Sequence, residues 1–205
     1  MTKISKNIIF YLTIVLILFT AYVAYHQKKS RAHDYPALSA TITPIPVPIN
    51  GVLSMDSPDG SKTLTLESQK LTETTSYTLS VLTKADGMHQ LIFNSDTYFS
   101  QKFEIPFNTW SPDNQYIFLK EIRPNAVNYY VFQSSGDVFW DGASLLSVQD
   151  LFSNQVSHYF IENVTGWAAP NLLVVNAKST EGDQRVSFWL DVPSQTFIQL
   201  GTYFK

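Results

Sequence analysis

Apolar residues are concentrated in one block near the start of the chain. Residues 7–25 form a run of 19 residues without a charge, which as a helix would extend about 28 Å and nearly match a bilayer core of about 30 Å. A secretory signal peptide has a shorter apolar region and small residues at its cleavage site, whereas Tyr22 lies two positions before Ala24 here. We therefore predict an uncleaved N-terminal transmembrane helix within residues 1–30. A cleaved signal peptide and a buried soluble helix are the alternatives.

Positive charges flank this run on both sides and do not decide its orientation. The basic residues before it are Lys3 and Lys6, and those after it are Lys28, Lys29 and Arg31. A long folded segment that follows a single N-terminal anchor is usually exported, largely regardless of the flanking charges. We therefore expect a single-pass protein of the cell membrane with its C-terminal domain on the extracytoplasmic side.

The next segment, residues 31–50, is rich in proline and lacks helical periodicity. Pro44, Pro46 and Pro48 alternate with other residues, a spacing that favours extended conformations without internal hydrogen bonds. We predict a linker between the membrane and a folded domain. A proline motif that binds a partner is the alternative.

From residue 51 onward, apolar and polar residues alternate in short segments. A unit of one turn and several such segments occurs three times. Each unit has a turn followed by an alternating segment and further apolar runs, which is the pattern of β-strands. The prolines of the turns are 54 and 58 residues apart, and the turn residues are Pro58, Asp59 and Gly60, then Pro112, Asp113 and Asn114, then Pro170 and Asn171. We predict an all-β domain over 51–205, with antiparallel four-stranded repeats at about 51–100, 101–155 and 156–205.

The turn residues suit a structural role. Proline fixes the first bend, aspartate accepts hydrogen bonds from its own turn, and glycine or asparagine accepts a positive φ. Catalysis or metal binding by Asp59 and Asp113 is the alternative, but the same residue type at the same turn in successive repeats favours structure.

One stretch departs from the strand pattern. Between Ser144 and Phe152 the apolar residues are spaced like one face of a helix. We predict a short surface helix there, centred near 147–152, in the connection between the second and third repeats.

The composition of the chain excludes several classes of function. After Arg31 the chain has nine basic and 17 acidic residues, a net charge of about −8, which opposes binding of nucleic acid. The absence of cysteine excludes disulfide scaffolds, zinc fingers, iron–sulfur sites and a cysteine nucleophile. We expect no nucleic acid partner.

Residues with catalytic or metal-binding potential are isolated from one another along the chain. His89 and His158 stand singly on predicted strands, and Asp137, Asp141 and Asp183 lie near glycines in predicted loops. General acid–base catalysis needs a positioned partner, and calcium needs six or more oxygen ligands. The motifs of hydrolases and nucleotide-binding enzymes are missing from the sequence. We predict no catalytic residues, no metal site and no cofactor.

Aromatic residues make up 14% of the chain and are candidates for a partner-binding surface. We interpret Phe107, Tyr129, Tyr130 and Trp189 as core between packed sheets. Trp140 lies in a predicted loop, and we retain it as a candidate interface residue.

The second repeat also carries a resemblance to a known family. Residues 110–114 read Trp-Ser-Pro-Asp-Asn and precede an apolar strand, which resembles a blade of the TolB-like β-propeller family with its Trp-Ser-Pro-Asp-Gly turn. The first repeat has Met55 and Asp56 before its turn instead of tryptophan, and the third lacks the serine and aspartate. The resemblance implies propeller-like blades that serve as a binding scaffold.

These expectations combine into one functional hypothesis. Closed propellers usually have four to eight blades, so three blades predict an incomplete or open β-propeller, either a compact arc or a ring completed by a homodimer. We expect a membrane-anchored extracytoplasmic binding or scaffolding module with a protein partner and without catalytic activity. The alternatives are a hydrolase-type enzyme with an unrecognised carboxylate site and a truncated relative without activity.

Overall fold

The computed structural model describes residues 51–202, which form twelve β-strands and one α-helix. Residues 1–50, which include the predicted anchor and linker, and residues 203–205 lie outside the described residues. None of the helical structure within residues 51–202 has the length and apolar content that crossing a bilayer takes.

The strands form three four-stranded sheets, and the strands of each sheet follow one another in chain order. The first sheet contains β1 (Gly51–Asp56), β2 (Lys62–Lys70), β3 (Thr74–Thr83) and β4 (Met88–Tyr98). The second sheet contains β5 (Lys102–Glu104), β6 (Tyr116–Arg123), β7 (Ala126–Gln133) and β8 (Leu146–Ser147). The third sheet contains β9 (Tyr159–Ala169), β10 (Leu172–Ser179), β11 (Arg185–Asp191) and β12 (Thr196–Thr202). Every pairing is antiparallel, so the prediction of three antiparallel four-stranded sheets is confirmed.

The first and third sheets each bury one face. In β10, Leu173, Val175 and Ala177 are completely buried, and the side chains between them are partly exposed. β2 and β3 show the same alternation. Such alternation is typical of a sheet that packs on a core with one face and meets solvent with the other.

The second sheet is covered on both faces. Ile117, Phe118 and Leu119 are consecutive in β6 and each is 1% exposed, although neighbouring residues of a strand point to opposite faces. Ile117 and Leu119 belong to a core with the first sheet, and Phe118 belongs to a core with the third. The second sheet therefore lies between the other two.

Two hydrophobic cores join the sheets. The core between the first and second sheets contains Leu64, Leu66, Tyr77, Leu79, Val81, Phe103, Trp110, Ile117, Leu119 and Phe132. The core between the second and third sheets includes Phe118, Tyr129, Val131, Leu173, Val175, Ala177, Val186, Phe188 and Leu190.

The helix α1 (Val148–Gln155) lies where the sequence pattern predicts a helix. Leu146 pairs with Val131 as part of β8, and the Oγ of Ser147 accepts a hydrogen bond from the backbone N–H of Asp150 at 3.3 Å, which caps the helix. The prediction of a helix near 147–152 in this connection is confirmed. Leu145 and Leu146 fit the helical spacing but precede the helix, because Leu146 belongs to a strand of two residues, which is too short to show an alternation of its own.

Candidate functional site

The first proline turn is held by the side chains of its own residues. The Oγ of Ser57 donates to Oδ1 of Asp59 at 2.7 Å and accepts from the backbone N–H of Lys62 at 3.0 Å. Oδ1 of Asp59 also accepts from the N–H of Ser61 at 2.9 Å. These bonds, with the backbone N–H of Ser61 first, lower the pKa of Asp59 to about 2.

The second turn repeats this network one period later. The Oγ of Ser111 donates to Oδ1 of Asp113 at 2.7 Å and accepts from the N–H of Tyr116 at 2.9 Å. The fourth position of each turn has a positive φ, +72° at Gly60 and +60° at Asn114, as this bend requires. Both aspartates therefore accept hydrogen bonds inside their own turns.

The third turn is built differently. Pro170 and Asn171 form a two-residue connection between β9 and β10, which pair from Ala169 and Leu172 onward. The Nδ2 of Asn171 donates to Oδ1 of Asp191 at 2.6 Å, at the end of β11. Because alanine replaces the turn serine here, the network of the first two turns has no counterpart.

Two tryptophans join neighbouring sheets: Trp110 lies in the connection between β5 and β6, and Trp167 lies on β9. The Nε1 of Trp110 donates to the backbone carbonyl of Met55 at 3.2 Å, and the Nε1 of Trp167 donates to the carbonyl of Thr109 at 3.1 Å. Met55 and Thr109 each lie three residues before the proline of their turn. The same contact is thus made from the second sheet to the first and from the third sheet to the second.

A cleft of about 450 Å³ opens where these contacts meet. Its lining combines tryptophan, phenylalanine, methionine and proline side chains with two polar residues: Met55, Asp56, Pro58, Phe107, Asn108, Trp110, Pro112 and Trp167. Phe107 is 88% exposed, in the loop between β5 and β6. The cleft brings together two predicted turn residues, Pro58 and Pro112, whereas Pro170, Asn171 and Trp140 do not line it.

The polar residues of the cleft already have partners. The carboxylate of Asp56 accepts from the hydroxyl of Thr63 at 2.6 Å and lies 2.9 Å from the Nζ of Lys84. The hydrogen bonds from these two residues lower the pKa of Asp56. The Nδ2 of Asn108 donates to the carbonyl of Thr165 at 3.1 Å. The remaining lining is apolar, so the cleft offers shape and aromatic surface to a ligand.

Gly166 allows the loop after β5 to approach β9. Its φ is +133°, and a Cβ at this position would lie 2.6 Å from the Cβ of Asn108. An alanine there would combine an unfavourable backbone conformation with a clash. The close approach holds Asn108 at the cleft.

The histidines and loop acids of the sequence analysis are dispersed. His89 lies on β4, but His158 has a φ of +66° and precedes β9, so its placement on a strand is wrong. Asp183 pairs with Lys178 at 2.8 Å, and Asp141 accepts from the N–H of Ala143 at 3.0 Å. Within residues 51–202, no three histidine or acidic side chains are grouped as metal ligands would be.

Glu121 is a buried carboxylate that sequence reasoning missed. It is 2% exposed on β6 and accepts hydrogen bonds from the hydroxyl of Tyr130 at 2.8 Å and the Nδ2 of Asn128 at 3.1 Å. The guanidinium of Arg123 lies 2.8 Å away. Burial acts to raise the pKa of Glu121, but these partners outweigh it and the pKa lies below its usual value. With three partners, Glu121 ties β6 to β7.

Three of the aromatic residues that the sequence analysis considers for a partner-binding surface lie at least partly at the surface. Trp140 is 77% exposed in the connection between β7 and β8, next to the buried Phe139. The interpretation of Phe107 as core is wrong, since it projects from a loop. Trp189 is half-buried on the outward face of the third sheet, because Phe188 and Leu190 on either side of it enter the core. The flanking Pro106 and Asn108 distinguish Phe107 from a strand residue.

Comparison with models of known protein families gives no match for this chain, and comparison with curated protein sequences gives none either.

Proposed function

We propose that the chain is a membrane-anchored, extracytoplasmic binding or scaffolding module whose three sheets are propeller-like blades of TolB-like type. The observation that carries the proposal is the cleft formed by β1, the β5–β6 connection and β9, lined by Trp110, Trp167 and the exposed Phe107. Aromatic side chains in a concave, largely apolar site are the usual anchors of a protein or peptide partner.

The repeated contacts between sheets support the propeller-like arrangement. The sheets pack face to face in chain order, and Trp110 and Trp167 make the same hydrogen bond to the preceding sheet. In repeat architectures each unit contacts its neighbours in the same way. An incomplete or open β-propeller has these properties.

The chemistry of the cleft supports binding without catalysis. Asp56 is the ionisable residue in the lining, and its carboxylate is engaged by Thr63 and Lys84. General acid–base catalysis needs a group whose pKa lies near the working pH and a positioned partner, whereas the pKa of Asp56 is lowered. The cleft is thus suited to holding a partner.

Site-specific photocrosslinking in native membranes tests the proposal. A photoreactive phenylalanine analogue replaces Phe107 in the full chain, and in a matched variant it replaces Trp140, an exposed aromatic residue outside the cleft. We expect a specific, stoichiometric adduct from position 107 that Trp110→Phe weakens. An adduct from position 140 alone would move the binding site to that loop. Turnover abolished by substitution of one carboxylate would contradict the proposal.

A separate experiment tests the proposed membrane anchorage and the orientation of the domain. Protease added to intact cells should digest the C-terminal domain, and the mature chain should still contain residues 1–25. Full protection of the domain would reverse the orientation, and an N-terminus near Tyr25 would show that the apolar run is a cleaved signal.

A further inference from the structure

The end of the first sheet at which the linker enters carries exposed apolar side chains. Leu71 is 43% exposed, Tyr98 68% and Phe99 58%. Leu71 occupies the β2–β3 hairpin, Tyr98 is the last residue of β4 and Phe99 follows it. Thr74 pairs with Tyr98, so the two loops lie side by side. We call Leu71, Tyr98 and Phe99 the apolar rim.

The apolar rim is held by backbone hydrogen bonds. The N–H of Leu71 donates to the carbonyl of Thr74 at 2.8 Å, and the N–H of Gln101 donates to the carbonyl of Tyr98 at 2.9 Å. Both loops are therefore tight turns with a fixed backbone. Little backbone conformational entropy remains to be lost when they meet a surface.

Basic residues accompany the apolar rim. Lys70 and Lys102 are exposed and line one groove together with Phe99. The Nζ of Lys102 lies 2.5 Å from a carboxylate oxygen of Glu104, and Glu73 is exposed in the hairpin. Lysine next to tyrosine, phenylalanine and leucine is the combination that side chains at the headgroup level of a bilayer show.

The covalent connection between residues 1–50 and β1 indicates which surface the apolar rim contacts. Gly51 begins β1 and pairs with Ser68, two residues from Lys70, so residues 1–50 join the domain at this end. These residues contain the uncharged run 7–25, and the 20 residues of the linker would span roughly 60 Å in a polyproline II conformation. A tether of that length keeps the domain at a high effective concentration near the bilayer.

We propose that the apolar rim docks on the membrane surface, with Tyr98, Phe99 and Leu71 in the interfacial region and Lys70 and Lys102 at the headgroup phosphates. This docking rests on the proposed membrane anchorage of the chain. The turns at the opposite end of the first sheet, residues 57–61 and 84–87, contain no aromatic residue.

Docking would also determine where the cleft lies relative to the membrane. Met55 and Asp56 are at the far end of β1 from Gly51, a separation of about 17 Å at 3.3 Å per residue. With the apolar rim on the bilayer, the cleft lies at the end of the first sheet that is away from the membrane. A partner could then reach Phe107 and the two tryptophans from the extracytoplasmic space.

A label at the apolar rim tests the docking. Because the chain has no cysteine, Ser100→Cys places a single environment-sensitive fluorophore beside Phe99, and Asp86→Cys is the matched control at the other end of the sheet. The full chain is reconstituted into phosphatidylcholine vesicles containing phosphatidylglycerol and a lipid with a nitroxide headgroup. We expect a blue shift and quenching at Ser100→Cys, neither at Asp86→Cys, and loss of both effects with Tyr98→Ser and Phe99→Ser.

The outcomes separate docking from anchorage. Equal quenching at both labels, or quenching at Ser100→Cys that survives both serine substitutions, would overturn the docking. A chain that floats with the vesicles but shows an unquenched label overturns the docking alone. A chain that does not float contradicts the anchorage, and the docking with it. Tryptophan fluorescence of each variant verifies that the two exposed substitutions leave the fold intact.

Discussion

Ser111 is completely buried in the second proline turn, where its Oγ joins the carboxylate of Asp113 to the N–H of Tyr116. Ser111→Ala removes this link and leaves a buried donor without its partner. We expect a loss of about 1–3 kcal/mol in the free energy of unfolding, measured by urea denaturation. Ser100→Ala, at an exposed position, should change it by less than about 0.5 kcal/mol. Equal effects of the two substitutions would show that the turn network is dispensable.

Glu121 makes stability depend on pH. Its pKa is lowered in the folded state, so the stabilisation from its charged form is complete above its unfolded pKa of about 4.3 and is lost as the pH falls toward the folded pKa. Glu121→Gln should be less stable than the wild type at neutral pH and should show a weaker fall in the free energy of unfolding below about pH 4.

Urea denaturation between neutral pH and pH 3 measures this difference. Asp59 and Asp56 also have lowered pKa values and retain their contribution in the variant, so the slope should be reduced and not abolished. A variant with the slope of the wild type would contradict the role of Glu121.

Local sequence predicts some residue roles and misses others. Asp59 and Asp113 could be placed in turns because proline, aspartate and a residue tolerant of positive φ occur in fixed order. The burial of Glu121 could not be predicted, because its partners Asn128 and Tyr130 come from the next strand. The flanking Pro106 and Asn108 indicate that Phe107 is not a strand residue, but its position at the cleft depends on how the loop after β5 meets β9.

At the scale of elements, α1 depends on packing. An eight-residue helix is marginal by itself, but Phe152 is 1% exposed and meets the rings of Phe188 and Phe197 edge-on, with centroids 5.2 and 5.0 Å away. Phe152→Ala should lower the free energy of unfolding by about 3–5 kcal/mol, measured by urea denaturation. Asn154→Ala on the exposed face of the helix should have little effect. A small effect of Phe152→Ala would mean that the helix is peripheral to the core.

Strand prediction succeeds where alternation is long and fails where the element is short. β2, β3, β10 and β11 alternate over seven to ten residues, and their sequences predict them directly. β8 has two residues and is defined by pairing with β7, which no local pattern encodes. The start of α1 depends on the same junction, because Ser147 ends β8 and caps the helix.

At the scale of the molecule, the repeat predicts the number of sheets better than their environment. The spacing of Pro58, Pro112 and Pro170 leads to three four-stranded units. In the sequence, only the continuous apolar runs within β6 and β7 indicate that the second sheet is central. Such runs are also compatible with a buried helix. The contacts between the sheets therefore determine which sheet is central.

The outer faces of the first and third sheets determine whether two copies can close a ring. Closure would bury both faces against each other, but the face that the first sheet turns outward combines the polar Thr63, Thr65, Glu67, Thr78 and Ser80 with the exposed Val52 and Leu91. On the third sheet, hydrogen bonds link Asn163, Asn176 and Ser187 across the outward face beside Trp189. Burial of such faces gains little, because each polar group must find a new partner.

We therefore expect the full chain to remain an open arc of three sheets and to be monomeric in nanodiscs. Mass photometry of labelled full chain at nanomolar to micromolar concentration measures this directly, and Trp189→Ser should leave the mass unchanged. A dimer that Trp189→Ser dissociates would show that the third sheet provides the interface. A dimer that Glu67→Arg also dissociates would implicate the first sheet and restore the closed ring, because only closure brings both outer faces into contact.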